Sequence, residues 1–266
     1  MAGYAERWQS TFPWWLVPPR QLVLEAGAGL IALGALMAAI AAAGPFPLSW
    51  RGVMGAGLCY AMLALLVIGG LGRHAPHRHF GLANSVTLCR AAFNAVLLAI
   101  AGEELFGGPL ELGHNLRWGL TIGAATALAM DGFDGWAARR GGMTSEFGAR
   151  FDMETDALFI MALALVIAGA GIVGPWVLAS GLAYYVFRLA TYAWPALAAP
   201  LPPSWRRKAI CVAQAALLIA ALAPAMPSWG ALLCCLTGLT LLLYSFCVDL
   251  AWLIRNRRRT PSLPLA

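Results

Sequence analysis

Residues 131–156 read DGFDGWAARRGGMTSEFGARFDMETD and hold Asp131, Asp134, Asp152 and Asp156, four of the five aspartates in the chain. Long apolar runs flank the stretch on both sides. Asp131 and Asp134 are spaced i, i+3, and Asp152 and Asp156 are spaced i, i+4, so on helices each pair occupies one face. The first pair ends one apolar run and the second begins the next, across a short basic connection. Antiparallel neighbouring helices would then bring both pairs to one depth. Ionisable residues at membrane depth are costly and mark function, and four like charges in one small volume need a positive partner. Oxygen-only ligands suit hard cations such as Mg²⁺ or Mn²⁺. Two such ions would neutralise four carboxylates and clamp a diphosphate for in-line displacement.

Outward from this stretch, the composition fixes the solvent. Of 266 residues, 61% are hydrophobic and 11% charged, whereas a soluble domain carries about 25% charged residues. A spanning helix needs ~20 mostly apolar residues, and eight segments approach that length: Leu22–Gly44, Val53–Gly72, a short Val86–Ala101, Trp118–Ala138, Asp152–Ile172, Trp176–Pro195, Ala209–Ala223 and Gly230–Ile254. The runs are rich in Ala and Leu without strict alternation, which favours helices over a closed barrel. The expected fold is therefore all-α, a polytopic membrane helix bundle of about eight transmembrane helices. Residues 1–21 hold Trp8, Phe12, Trp14, Trp15, Arg7 and Arg20 and read as an interfacial segment. A cleaved signal peptide is the rival reading there, but the apolar run from Leu22 exceeds the usual ~7–15 residues of a signal core.

The arginines give the orientation. With a cytoplasmic amino terminus, 14 basic residues face the cytoplasm, against only Arg51 and Arg117 opposite, with Arg90 and Arg188 inside helices. The acidic pairs then lie at the cytoplasmic interface of a bacterial cytoplasmic (inner) membrane. The net charge of +6 serves orientation and anionic headgroups, and no basic face with interleaved aromatics points to nucleic acid. The six cysteines lie in apolar runs and read as small apolar core residues rather than disulfides or zinc ligands. His74, His77 and His79, in RHAPHRH, read as part of a basic juxtamembrane loop. Arg188, inside the sixth segment, is expected to be buried and to need an anionic partner, either an aspartate or a phosphate on a substrate.

Gly132, Gly135 and Gly148 lie among the aspartates, two of them in helical pattern, where Gly costs ~1 kcal/mol relative to Ala. Their use is close approach of a ligand or another backbone. Ala138 is small for the same reason, and Arg139 offers a planar fork of donors to a phosphate. Helix packing alone also selects small residues, but it does not select four like charges.

The stretch resembles the signature of the CDP-alcohol phosphotransferase family, D-x2-D-G-x2-A-R-x8-G-x3-D-x3-D, at Asp131, Asp134, Gly135, Ala138, Arg139, Gly148, Asp152 and Asp156. Upstream, Asn84, Thr87 and Arg90 resemble the family's P-N-x-x-T-x-x-R at the start of its first core helix, with Ala83 in place of proline. A helix cap at Asn84 followed by a buried salt bridge is the alternative reading of that trio. Arg207, Lys208 and Gln214 are loosely similar to a basic segment of relatives, and a basic cytoplasmic flank explains the charged pair equally well.

The resemblance implies a six-helix catalytic core over about residues 73–259, with a two-helix extension at 22–72 and a tail at 260–266. It implies transfer of a phosphatidyl group from a CDP-linked lipid donor, CDP-diacylglycerol, to a small polar alcohol, with CMP leaving, in phospholipid biosynthesis. Asp131, Asp134 and Asp152 would be the main metal ligands, with Asp156 beside them as the base that deprotonates the hydroxyl. Asn84, Thr87, Gly135, Ala138 and Gly148 would line the nucleotide and diphosphate pocket, with Arg90 and Arg139 at phosphates. Arg188 leans the acceptor toward a phosphorylated alcohol. A homodimer is expected from the family, and the extension reads as an added packing or dimer surface. Transfer from CDP-choline or CDP-ethanolamine to a lipid alcohol is the alternative within the family. A divalent-cation transporter is the alternative outside it.

Overall fold

The computed structural model describes residues 19–43, 50–74, 77, 79–107, 112–141, 145–194, 197, 199, 201–202 and 204–256, with side chains described for all of these except 40–43, 51, 104–107, 133–141 and 256. The interfacial segment before residue 19 and the tail after 256 lie outside them. Among the described residues there is no strand and there are eight α-helices: α1 Arg20–Ala43, α2 Trp50–Gly70, α3 Gly81–Gly107, α4 His114–Gly141, α5 Glu146–Gly169, α6 Leu178–Ala193, α7 Trp205–Leu222 and α8 Ser228–Asn256. Each apolar segment of the sequence has become one helix. Short 3-10 turns at Leu71–His74 and Pro175–Val177 follow α2 and precede α6.

Among the described residues, four stretches are long and apolar enough to cross a membrane: Arg20–Ala39, Gly52–His74, Gly81–Glu103 and Ser228–Arg255. This is an integral membrane protein. The other helices do not meet the same combined requirement among the described residues. The 16-residue α6 is too short for it, and α4 and α5 carry the acidic residues.

Among the helix boundaries that differ from the reading of the apolar runs, three bear on the acidic stretch and its neighbours. Helix α3 starts at Gly81 rather than Val86 and is 27 residues long, not short. Its polar first turns bond back onto the helix, Asn84 Nδ2 to Phe80 O at 2.6 Å, Ser85 Oγ to Gly81 O at 3.0 Å and Thr87 Oγ1 to Ala83 O at 3.1 Å. Helix α5 starts at Glu146, because Ser145 caps it by accepting the Gly148 N–H at 3.0 Å. Helix α4 runs on to Gly141. Both acidic pairs therefore sit inside helices rather than at their ends. Hydropathy stops at the first charge, whereas a helix stops where its backbone bonds run out.

The chain divides into two compact units, residues 1–99 with 129–155, and residues 100–128 with 156–266. The first has an apolar core of Leu22, Ala26 and Leu30 from α1, Val67 from α2, Leu71 and Phe80 from the connection after it, Leu88 and Ala91 from α3, and Phe147 and Phe151 from α5. The i, i+4, i+8 spacing on α1 and the i, i+4 pair on α5 each supply one stripe. The two phenylalanine rings stack at 5.6 Å. The two amino-terminal helices thus share one core with the starts of α3 and α5.

In the second unit, the approach of α6 to α5 requires Gly181. A Cβ there would stand 2.6 Å from the Met161 Cα. Arg117 donates to Leu222 O at 3.1 and 3.2 Å and to Ala223 O at 3.3 Å, covering carbonyls that the end of α7 leaves open. Arg206 of α7 donates to Asp249 Oδ1 at 2.5 Å and to Ser245 O and Oγ at 2.9 and 2.8 Å on α8. This accounts for the fifth aspartate, and it joins the basic start of α7 to the end of α8. Gln214 is buried between them against Gly238.

Candidate metal centre

One polar stripe runs down α3. Asn84, Thr87, Arg90 and Asn94 are all buried, at offsets of three, three and four that keep them on one helical face. That face meets α5. Asn84 Oδ1 lies 2.9 Å from where a Cβ on Gly148 would be. Arg90 Nη1 reaches Asp152 Oδ1 at 2.9 Å, and Asn94 Nδ2 donates to Thr155 O at 2.9 Å. The partners ascend together in number on both helices, so α3 and α5 run parallel here. Gly148 is required by this approach, since a side chain would collide with Asn84 Oδ1 and stand 3.2 Å from Ser145 Oγ.

Arg90 also pairs with Asp131 Oδ1 of α4 at 2.8 Å. The guanidinium is 3% exposed, and the Asp131 and Asp152 side chains are 22% and 41% exposed. A buried cation between two partly exposed carboxylates has its own charge compensated. Asp131, Asp152 and Asp156 each offer an oxygen, and these three oxygens lie within 4.8 Å of one another. Asp156 follows Asp152 by one turn of the same unbroken helix α5, so its place is set by helix geometry.

The three oxygens fit a hard divalent cation. Ligands on one Mg²⁺ at ~2.1 Å stand at most ~4.2 Å apart, and on one Ca²⁺ at ~2.5 Å at most ~5 Å apart. The 4.8 Å limit on the trio's separations falls between these two values, and the set holds no nitrogen or sulfur donor.

The other expected site residues divide as follows. Asn84, Thr87, Arg90 and Gly148 join the aspartates along the α3–α5 face. Here the salt bridge expected as the alternative reading of Arg90 is what the structure shows. Asn84 does not act as the helix cap of that reading, since it lies within the first turn and donates backward to Phe80 O. Asp134, Gly135, Ala138 and Arg139 belong to α4, but their side chains lie outside those described. Arg188 is exposed on α6, a correction to its expected burial. Membrane helices place polar groups by which face they present, and hydropathy along the chain does not read faces. Cys89 and Cys247 are exposed and Cys235 is buried, so only one of the six is a core residue in the strict sense. Lys208 is exposed with its Nζ 5.8 Å from the Trp205 ring.

Sequence reasoning missed two buried groups. Asn94 extends the Asn84–Thr87–Arg90 stripe by one further turn, and its Oδ1 has no partner among the described residues. The helical offset from Arg90 was the available signal. His74, read as part of a basic loop, is fully buried and touches the cap of α5, which only the folded chain could reveal.

Comparison with protein-family models matches residues 80–247 to CDP-alcohol phosphatidyltransferase. No curated protein and no solved structure matches the chain.

Proposed function

The chain belongs to the CDP-alcohol phosphatidyltransferase family, and from that premise we propose that it moves a phosphatidyl group from CDP-diacylglycerol to a small polar alcohol, releasing CMP. Members of the family are transferases of substituted phosphate groups in lipid synthesis. The observation that carries the finer reading is the convergence of Asp131, Asp152 and Asp156 within 4.8 Å, beside a buried arginine.

In this reading Asp131, Asp152 and Asp156 hold Mg²⁺ or Mn²⁺, with Asp134 completing the set for two ions. Such ions supply a clamp on diphosphate oxygens and stabilise charge that develops on them. Asp156 takes the proton of the incoming hydroxyl, a role assigned by its position in the family signature and suited to a carboxylate beside the reacting phosphorus. Asn84, Thr87, Gly135, Ala138 and Gly148 line the nucleotide and diphosphate pocket, and the closeness of Asn84 to Gly148 supports two of these as one surface. Arg90 keeps Asp131 and Asp152 in place by ion pairs and brings positive charge close to where phosphate binds, while Arg139 contacts phosphate directly. Arg188, exposed on α6, meets a phosphate on the acceptor when there is one.

All eight helices cross the membrane in this reading, with the site facing the cytoplasm of a bacterial inner membrane, and the protein acts as a homodimer. The decisive assay is CMP release by purified protein given CDP-diacylglycerol, Mn²⁺ and a panel of alcohols: glycerol 3-phosphate, serine, inositol phosphate, choline and ethanolamine. One alcohol should drive release that stops on chelation. If no alcohol drives release, the proposed donor or acceptor class is wrong. Release from CDP-choline on adding diacylglycerol would reverse the roles of donor and acceptor.

A further inference from the structure

The segment before the matched region is tied into the site by hydrogen bonds. His74 ends the 3-10 turn after α2 and is 0% exposed. Its Nε2 lies 2.8 Å from His79 O and its Nδ1 lies 2.8 Å from Ser145 Oγ. A carbonyl only accepts, so Nε2 carries a proton and donates to His79 O. In the neutral ring, Nδ1 then accepts from the Ser145 hydroxyl, and Ser145 Oγ accepts in turn from the Gly148 N–H. The ring is held edge-on to Phe147, centroids 5.8 Å apart at 82°.

A second tie lies next to it. Glu25 of α1 accepts the Phe80 N–H through Oε2 at 2.8 Å and meets His79 Nδ1 through Oε1 at 2.8 Å. Residues 79 and 80 are thus held on both sides immediately before Gly81, whose φ of 81° turns the chain into α3. Phe80 O then accepts from Asn84 Nδ2 at 2.6 Å. One arm runs from His74 through His79 and Phe80 to Asn84, and the other from His74 through Ser145 to Gly148. The two arms meet where Asn84 Oδ1 faces Gly148.

We propose that His74 is a positioning residue, which fixes the separation of the starts of α3 and α5 and thereby the Asn84–Gly148 surface that receives the nucleotide. The structural part rests on the hydrogen bonds above, and the assignment of the nucleotide to that surface rests on the transferase reading. The consequence is that part of the substrate cradle is held from outside the matched family region.

The test uses full-length His74→Leu, His74→Gln and Ser145→Ala, with the His74→Leu/Ser145→Ala double variant. Amide hydrogen exchange over residues 80–90 and 145–152 reads the positioning without turnover. His74→Leu should raise exchange in both segments. His74→Gln, which keeps a donor and an acceptor on one planar group, should restore protection. In CMP release, His74→Leu should raise the KM for the CDP-linked donor about tenfold with kcat within about threefold, the signature of lost ground-state binding. The double variant should be no worse than the worse single, because both cut one chain of bonds. Unchanged exchange in His74→Leu, additive effects in the double variant, or failure of Gln to restore protection would each overturn the proposal. Should His74→Leu fail to fold, Ser145→Ala against Ser145→Thr, which keeps the hydroxyl, puts the α5 arm to the same exchange measurement. A wild-type protein that releases no CMP would overturn the transferase reading, with exchange still deciding the positioning role.

Discussion

Asp152 and Asp156 sit one turn apart on α5. Asp152 is paired with the buried Arg90, and in the proposed reaction it holds metal. In the proposed reaction Asp156 takes the proton of the incoming hydroxyl. Asp156→Asn should therefore lower alcohol-dependent CMP release at least about 100-fold, the low end for a lost general base, with an unchanged thermal midpoint. Retained activity would remove the base assignment. Gly148 carries a different prediction. A Cβ there meets Asn84 Oδ1 at 2.9 Å and Ser145 Oγ at 3.2 Å, and overpacking of this kind costs about 1–3 kcal/mol. Gly148→Ala should lower the thermal midpoint, and adding Asn84→Ala should recover part of it. A Gly148→Ala protein as stable as wild type would show that the approach is looser than described. These residues were legible to different degrees. The aspartate spacing stood in the sequence, whereas the partner of Arg90 did not. Nothing in the chain from residue 90 onward says which carboxylate it will meet.

At the scale of elements, polar capping and close approach decide where helices start and how they cross. In lipid, apolar surface gains little by leaving the solvent, so packing and hydrogen bonds carry association. Gly181 is a direct case. Its missing Cβ would lie 2.6 Å from the Met161 Cα, a backbone atom that no rotamer change can move. Gly181→Ala should destabilise by about 1–3 kcal/mol. Gly55 of α2, with nothing within 4 Å of its Cβ position, is the control. Gly55→Ala should be neutral or stabilising, since Ala is preferred in a helix interior by up to ~1 kcal/mol. Thermal melts of both variants in detergent check the contrast, and equal midpoints would refute it. The eight helices could be read from apolar runs alone. The early starts of α3 and α5 could not, because Asn84, Ser85 and Ser145 are polar residues whose helical role appears only once their hydrogen bonds are known.

For the molecule as a whole, the distribution of arginine argues for one orientation. The connection before α4 should face away from the cytoplasm and the connection before α7 toward it. In a cysteine-free background, Gly113→Cys should react with a membrane-impermeant maleimide in intact cells, and Ser204→Cys should react only after permeabilisation. The reverse pattern would invert the topology and place the acidic centre on the other side. Arg117, one of two basic residues read as facing outward, is spent on the carbonyls that end α7.

The sequence by itself determined that the chain is helical, that lipid is its solvent and that four aspartates stand at the spacing of the family signature. Those follow from composition, run length and helical period, which are properties of the chain read locally. Only the tertiary structure decided that Arg90 joins two of those aspartates, that Gly148 makes room for Asn84, and that His74, ahead of α3, ties two helix starts together. Each brings together residues of different helices, and such pairings depend on which faces meet when the helices pack.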